Sequence, residues 1–222
     1  MYEFSFEKFQ DAFGPILTCL NTTLYLTFMT FFIGFAIALL LAALSMNKNP
    51  AVEAFMKVWL SFFRGTPVLV QLFSLYMDYF PTCPLPGSAA YLACHYMSVP
   101  GLFLIYVRNH TGSHSVSRQR QMEACRSIGM SYFQSMRRII LPQAVHYMIP
   151  PLSNNFLGVF KGTSLASMVG ITEMMLKAKM MSSKDLRFME TYLAVLIIYW
   201  GLNIIFSIIQ KYIEKYLDKK YA

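Results

Sequence analysis

The chain has 222 residues, of which 56% are hydrophobic and only 14% are charged, and its mean hydropathy is +0.44. Because an ordinary soluble domain carries about 25% charged residues, this composition indicates an integral membrane protein. The net charge of +8 arises without a long basic run interleaved with aromatic residues, which argues against nucleic-acid binding.

Five apolar stretches predict membrane-spanning helices: residues 16–46, 67–80, 85–107, 145–171 and 192–209. The first lies in a segment that has no charged residue between Asp11 and Lys48, and it far exceeds the ~20 residues that cross hydrocarbon. Its N-terminal flank is acidic, with Glu3 and Glu7, so we expect this segment to stay in the mature protein rather than be cleaved as a signal peptide. The sequence therefore predicts an all-α integral membrane protein with about five transmembrane helices, as a single membrane domain over residues 1–222.

The distribution of Lys and Arg predicts the orientation of the chain. With an external N-terminus, thirteen of the nineteen cations fall on the cytoplasmic side, five fall outside, and Lys161 lies within the fourth span. Since cytoplasmic loops retain Lys and Arg, an N-out, C-in topology is expected. The external loop before the last span balances its cations with Glu173, Asp185 and Glu190. The thirteen cytoplasmic cations are Lys48, Lys57, Arg64, Arg108, Arg118, Arg120, Arg126, Arg137, Arg138, Lys211, Lys215, Lys219 and Lys220.

The cysteines and histidines do not have the spacing of a metal site. Cys19, Cys83, Cys94 and Cys125 are isolated from one another along the chain, so we predict packing roles for them. No span carries a Ser/His pair, a carboxylate pair or a histidine cluster. We therefore expect no metal, no cofactor and no covalent chemistry in this chain.

Residues 121–142, between the third and fourth predicted spans, carry the most informative pattern. The segment begins Gln-Met-Glu-Ala-Cys-Arg-Ser-Ile-Gly and ends Ile-Ile-Leu-Pro. Met122, Cys125, Ile128 and Gly129 recur at spacings of three and four, which predicts a short amphipathic helix that Gly129 ends. From composition alone, the simpler interpretation is an anchor whose apolar stripe enters the lipid headgroups.

The order Glu-Ala-Cys, three residues, Gly, nine residues, Ile-x-Leu-Pro closely resembles the EAA loop of ABC importer permeases, with Cys125 in place of the second Ala. In that family the loop contains the coupling helix, which docks in a groove on a cytoplasmic ATPase. The resemblance implies that small residues allow close approach to the ATPase and that the glutamate meets its polar groups. The implied coupling residues are Glu123, Ala124, Cys125, Gly129, Leu141 and Pro142.

Further stretches resemble the polar amino-acid subgroup of these permeases: residues 63–72, 141–144, 149–155 and 161–165. This resemblance implies the type I importer fold and a location in the bacterial plasma (inner) membrane. Residues 170–178 and 192–200 are more similar to cystine-type systems than to histidine or glutamine ones. Thr66 and Pro67 are suited to cap and open a helix, and capping and packing alone would explain them.

Lys161 is the strongest intramembrane functional candidate. An ionisable residue inside a span is costly and normally faces a cavity or a partner, so we hypothesise that Lys161, Thr163 and Ser164 line the substrate pathway. The neighbouring small hydroxyl residues equally suit close packing between helices.

The segment from residue 76 to residue 120 departs from the family pattern. The family has an apolar helix there with a Glu- and Arg-bearing exit, whereas this chain ends the segment with LIYVRNHTGSHSVSRQR. Reading the codons one base later can yield SYMSEIIRAAIQSVDKG, which fits the family. We hypothesise compensating frameshifts in this segment, the alternative being a divergent third helix.

The resemblance implies a permease subunit that imports a polar amino acid and works in a complex. Its partners would be ABC ATPase subunits, a second permease subunit and an extracytoplasmic substrate-binding protein. The second permease subunit would be identical or paralogous, and the complex would assemble at membrane lipid. The chain has no G-x-x-x-x-G-K-[ST] motif, so ATP is expected to bind a separate subunit. The alternatives are a secondary transporter or channel that needs no ATPase, and a membrane-bound enzyme.

Overall fold

The computed structural model describes residues 4–45, 49–79 and 113–221, which are helical without any β-strand in these ranges. The described residues form nine α-helices: α1 (Phe6–Leu17), α2 (Leu20–Ser45), α3 (Pro50–Gly65), α4 (Val68–Tyr79), α5 (Ser113–Ser127), α6 (Tyr132–Ser135), α7 (Leu141–Gly162), α8 (Met174–Asp185) and α9 (Phe188–Tyr221). A π-helical segment, Met136–Ile140, precedes α7, and a 3-10 segment, Thr163–Val169, follows it.

The N-terminal apolar region forms two helices rather than one. Ser5 caps α1 by accepting a hydrogen bond from the backbone N–H of Lys8 at 3.4 Å. The chain turns at Thr18, whose hydroxyl donates to the carbonyl oxygen of Pro15 at 2.7 Å. The predicted start of the first span at Ile16 is therefore wrong, because Ile16 belongs to α1 and is fully buried there.

Two helices in the described part of the chain are long and apolar enough to cross a membrane, at Leu20–Leu41 and Phe188–Leu217. They correspond to the first and fifth predicted spans. Of the second predicted span, α4 contains twelve residues, a length of about 18 Å against the roughly 30 Å of hydrocarbon. The third predicted span lies outside the described residues, as do Cys83 and Cys94, so the count of five spans stays a prediction.

The fourth predicted span is interrupted, because its α-helix ends at Gly162. In the 3-10 segment the hydroxyls of Thr163, Ser164 and Ser167 each donate to the carbonyl oxygen three residues earlier, at 2.7, 2.8 and 2.6 Å. Such local bonds compete with α-helical winding and suit the tighter turn. Gly170 then ends the segment with a φ of +84°. The prediction of one continuous helix to residue 171 is therefore wrong.

Three buried clusters hold the helices together. The first joins α1, α8 and α9 through Ile16, Met174 and Ala194. The second joins α2, α4 and the 3-10 segment, and it contains Leu26, Leu72 and Ala166. The third lies where α2 meets α3, at Ala38 and Met56, with Leu152 of α7 packed against it. The helix α4 and the 3-10 segment are therefore in direct contact.

Candidate functional site

Gly129 ends α5 in a complete Schellman motif. Its φ is +79°, a left-handed conformation that glycine adopts without the steric cost of a Cβ. The backbone N–H of Met130 donates to Cys125 O, and the N–H of Gly129 donates to Arg126 O, each at 3.0 Å. These bonds satisfy the last carbonyls of α5. The prediction that Gly129 ends a helix is confirmed, but this helix begins at Ser113 and is longer than the short one expected within residues 121–129.

The end of α5 and the start of α6 expose large apolar side chains. Ile128 is 74% exposed and Phe133 is 70% exposed, and Tyr132 between them is also exposed. Glu123 and Ala124 lie on the surface of the same helix. Isolated exposed apolar residues are ordinary, whereas several that are close in sequence, with polar residues beside them, form a candidate docking surface. We call residues 123, 124, 128, 129, 132 and 133 the loop face.

Cys125 does not belong to the loop face. Its side chain is buried, as are those of Ser135 and Ile140, and these residues seat the loop on the rest of the protein. The predicted apolar stripe is therefore divided, because Cys125 packs inward while Ile128 projects outward. The burial of Cys19 and Cys125 confirms the predicted packing roles of these two cysteines.

Local hydrogen bonds fix the direction of the loop. Ser131 and Gln134 form a capping box at the start of α6, which satisfies two backbone donors. Gln121 of α5 donates to the side-chain oxygen of Gln143 in α7 at 2.7 Å. Pro142, of the predicted coupling set, is half-buried beside this bond, whereas the side chain of Leu141 lies outside the described residues.

Thr66 caps the end of α3 rather than the start of α4. Its hydroxyl donates to the carbonyl oxygen of Phe62 at 2.8 Å, so the predicted role as cap of the following helix is wrong. The buried amide of Gln71 donates to the Thr66 hydroxyl and to the carbonyl oxygens of Thr66 and Phe63. The carbonyls that the break between α3 and α4 releases are therefore paired within the protein, as apolar surroundings require.

Lys161 lies one residue before the end of α7, and it is exposed in the isolated chain. Within the fourth predicted span it stands at a helix C-terminus, where the helix dipole favours a cation. Thr163 is buried and Ser164 is half-buried. Both hydroxyls are bonded to carbonyl oxygens of α7.

Two glutamates that the sequence placed in an external loop are fully buried. Glu190 accepts hydrogen bonds from the backbone N–H of Ser5 at 3.1 Å and from Arg187 at 3.0 Å. Glu173 accepts three bonds and caps α8. Burial raises the pKa of the Glu173 carboxyl above its ordinary 4.5, against the hydrogen bonds, which lower it. Only Asp185 of the three acids remains exposed, because sequence spacing alone does not reveal which acids enter the core.

The described residues are those of an all-α membrane protein in which Gly129 ends a helix that exposes apolar side chains. The chain belongs to the family described as the inner membrane component of binding-protein-dependent transport systems, whose pattern matches residues 31–219. The predicted family, the predicted membrane location and the expectation that this subunit is not itself an enzyme are thereby confirmed.

Curated relatives match nearly the whole chain. It is 38% identical to the probable amino-acid permease protein YxeN of Bacillus subtilis over 213 residues, which is 95% of each protein. It is 37% identical to the probable amino-acid ABC transporter permease protein PatM of Vibrio harveyi, over 99% of each. The L-cystine transport system permease protein TcyB of Bacillus subtilis is 32% identical over 96% of this chain and 91% of its own length.

Solved structures confirm the predicted fold class. The crystal structure of an amino acid ABC transporter with histidines superposes with a TM-score of 0.83 at 26% identity, over 96% of this chain and 99% of that one. The MetNI methionine ABC transporter has a TM-score of 0.73 at 15% identity, over 91% and 96% of the two chains. The second likeness is one of fold alone.

Proposed function

We propose that this chain is the permease subunit of an ATP-driven importer that carries a polar amino acid across the inner membrane. The observation that carries the proposal is the loop face at the end of α5, in a chain whose family transports substrates with a binding protein. The subunit acts with ABC ATPases, a second permease subunit and an extracytoplasmic binding protein. The whole chain serves as one transmembrane domain, and residues 121–142 are its coupling loop.

The loop face has the properties that docking requires. Full burial of an Ile or Phe side chain contributes about 1.5–3 kcal/mol, so covering Ile128 and Phe133 supplies a substantial part of an interface. Gly129 lets the partner's surface approach the backbone, since a side-chain position at this residue has no neighbour within 4 Å in this chain. Glu123 and Ala124 extend the same surface, while Cys125 and Pro142 support it from beneath.

The orientation follows from the same surface. An ATPase works in the cytoplasm, so the loop face is cytoplasmic, which agrees with the N-out, C-in topology that the positive residues favour. In that arrangement α8 and the buried Glu173 lie towards the external side.

The contact between α4 and the 3-10 segment that interrupts the fourth predicted span supports a pathway at this place. Interrupted helices occur at membrane depth where they are buried in protein or line a cavity, and transporters use their ends to bind substrate groups. Lys161, at the C-terminal end of α7, would meet the carboxylate that every amino acid carries, with Ser164 beside it. Thr163 is buried and therefore supports this site rather than contacting the substrate.

The relatives support an amino acid as substrate, and the L-cystine permease among them supports cystine slightly over others. Uptake of labelled cystine, arginine and glutamine is to be measured in a deletion strain that carries this gene. Cystine uptake that the gene restores and that requires ATP hydrolysis is expected. Uptake that persists with a catalytically dead ATPase would instead indicate a secondary transporter or channel.

A further inference from the structure

Glu173 is the centre of a buried polar junction. The carboxylate accepts hydrogen bonds from the backbone N–H of Met175 at 2.8 Å, from the backbone N–H of Leu176 at 2.9 Å and from the hydroxyl of Tyr199 at 3.0 Å. The residue itself has no exposed surface. Because an unpaired carboxylate in such a place is costly, these three donors are what allow the charge to be buried.

The junction reaches five elements. The ring of Tyr199, on α9, packs against the ring of Phe160 near the end of α7, with the centroids 5.3 Å apart. The carbonyl oxygen of Phe160 accepts a hydrogen bond from the hydroxyl of Thr163, at the start of the 3-10 segment, at 2.7 Å. The backbone N–H of Met174, next to Glu173 at the start of α8, donates to the hydroxyl of Thr23 on α2 at 3.3 Å. The end of α7 is thus connected, through Phe160 and Tyr199, to the cap of α8.

A carboxylate suits this position better than an amide of the same size. All three partners of Glu173 act as donors, and two of them are backbone N–H groups that cannot reverse their role. A glutamine has one acceptor oxygen, and its NH₂ group would face a donor. Replacement of the glutamate therefore leaves at least one buried donor without an acceptor, which is the costly outcome.

We propose that Glu173 is a positioning residue for transport: through Tyr199 and Phe160 it holds the end of α7 and the start of the 3-10 segment, and so keeps Lys161 and Ser164 in place for the passing substrate. The inference rests on the proposed function. The residue does not touch the substrate, since it is fully buried behind α8 and α9. When Glu173 is replaced, the ATPase continues to drive the complex, but the end of α7 no longer moves together with the rest of the subunit.

The test uses the complete complex with its ATPase and binding protein, reconstituted in vesicles, and measures ATP hydrolysed per substrate imported. For Glu173→Gln we expect uptake to fall about tenfold or more, as for a lost hydrogen bond to a charged group. ATP hydrolysis stimulated by the loaded binding protein is expected to stay within about twofold of wild type. A purely structural role would lower uptake and hydrolysis together and leave their ratio unchanged.

Glu190→Gln is the matched control, because Glu190 is equally buried but is bonded to Ser5 and Arg187 instead. Its ratio of hydrolysis to uptake should equal that of wild type. If the ratio of hydrolysis to uptake rises as much in Glu190→Gln as in Glu173→Gln, the proposal is overturned, because replacing any buried glutamate would then have the same effect.

Tyr199→Phe and Thr163→Val supply a second route if the Glu173 variant does not assemble. Tyr199→Phe removes the donor to Glu173, and Thr163→Val removes the hydroxyl bonded to the carbonyl oxygen of Phe160. Each should therefore raise the ratio, and the double variant should be no worse than the more impaired single one. Additive effects, or unchanged ratios in both, would exclude the connection. If the wild-type complex itself shows no ATP-driven uptake, the proposed function fails, whereas a normal ratio in Glu173→Gln with an active wild type refutes this inference alone.

Discussion

Substitution of Gly129 tests the docking role of the loop most directly. The residue has a φ of +79° and open space where a Cβ would be, so a new side chain meets nothing within its own chain. The cost to folding is therefore confined to the backbone. It is about 1–2 kcal/mol for an ordinary L-residue and less for Asn or Asp, which adopt this conformation most readily.

For Gly129→Asp a further cost of about 0.3–1 kcal/mol comes from a negative charge at a helix C-terminus. These costs do not prevent membrane insertion, so the protein level should remain near wild type. The side chain nevertheless stands where we propose that the ATPase approaches the backbone. We expect at least a tenfold loss of ATPase in co-purification, equivalent to about 1.4 kcal/mol of binding, and no transport. Gly129→Asn, of the same shape but neutral, separates bulk from charge.

Gly170→Asp is the matched control for backbone strain. Gly170 has a φ of +84° and also has nothing within 4 Å of a Cβ position, but it lies at the end of the 3-10 segment, away from the loop face. This variant should retain the ATPase. Wild-type co-purification by Gly129→Asp would refute the docking assignment, and loss of the ATPase by both variants would mean that strain alone explains the effect.

Further outcomes are expected from other positions. Ile128→Ala should weaken ATPase binding by about 2 kcal/mol, or roughly thirtyfold, when the affinity is measured by titration. Val58→Ala, at a similarly exposed position on α3, should leave the affinity unchanged. Equal affinities of the two variants would place the ATPase elsewhere. Lys161→Met should reduce uptake about tenfold while Lys161→Arg retains most of it, and normal uptake by the Met variant would favour a packing role. Leu186 has a φ of +56° on an exposed turn, so Leu186→Asn should stabilise the protein by about 1 kcal/mol in thermal melts, and a lower melting temperature would contradict this. Mass spectrometry of the native protein should not find the tryptic peptide NHTGSHSVSR, residues 109–118, and its detection would refute the frameshift hypothesis.

The sequence by itself determined the membrane class and the first and last spans, and it indicated the segment that we propose as the docking site. An apolar run such as that of α2 is stable only in lipid, so its composition and length are enough to predict a membrane span. The end of α5 was equally predictable from the sequence, because the left-handed turn at Gly129 favours glycine at a fixed position after the helix.

Only the tertiary structure decided which polar residues belong to the core. Cys125 and Ile128 belong to the same periodic pattern at the end of α5, yet one is buried and the other exposed, since α6 and the π-helical segment cover only one side of α5. Glu173 looked like one loop acid among three, and its role depends on Tyr199, twenty-six residues away along the chain. The periodic spacing of apolar residues reflects the winding of each single helix, whereas burial and long-range hydrogen bonds arise only when separate helices pack together.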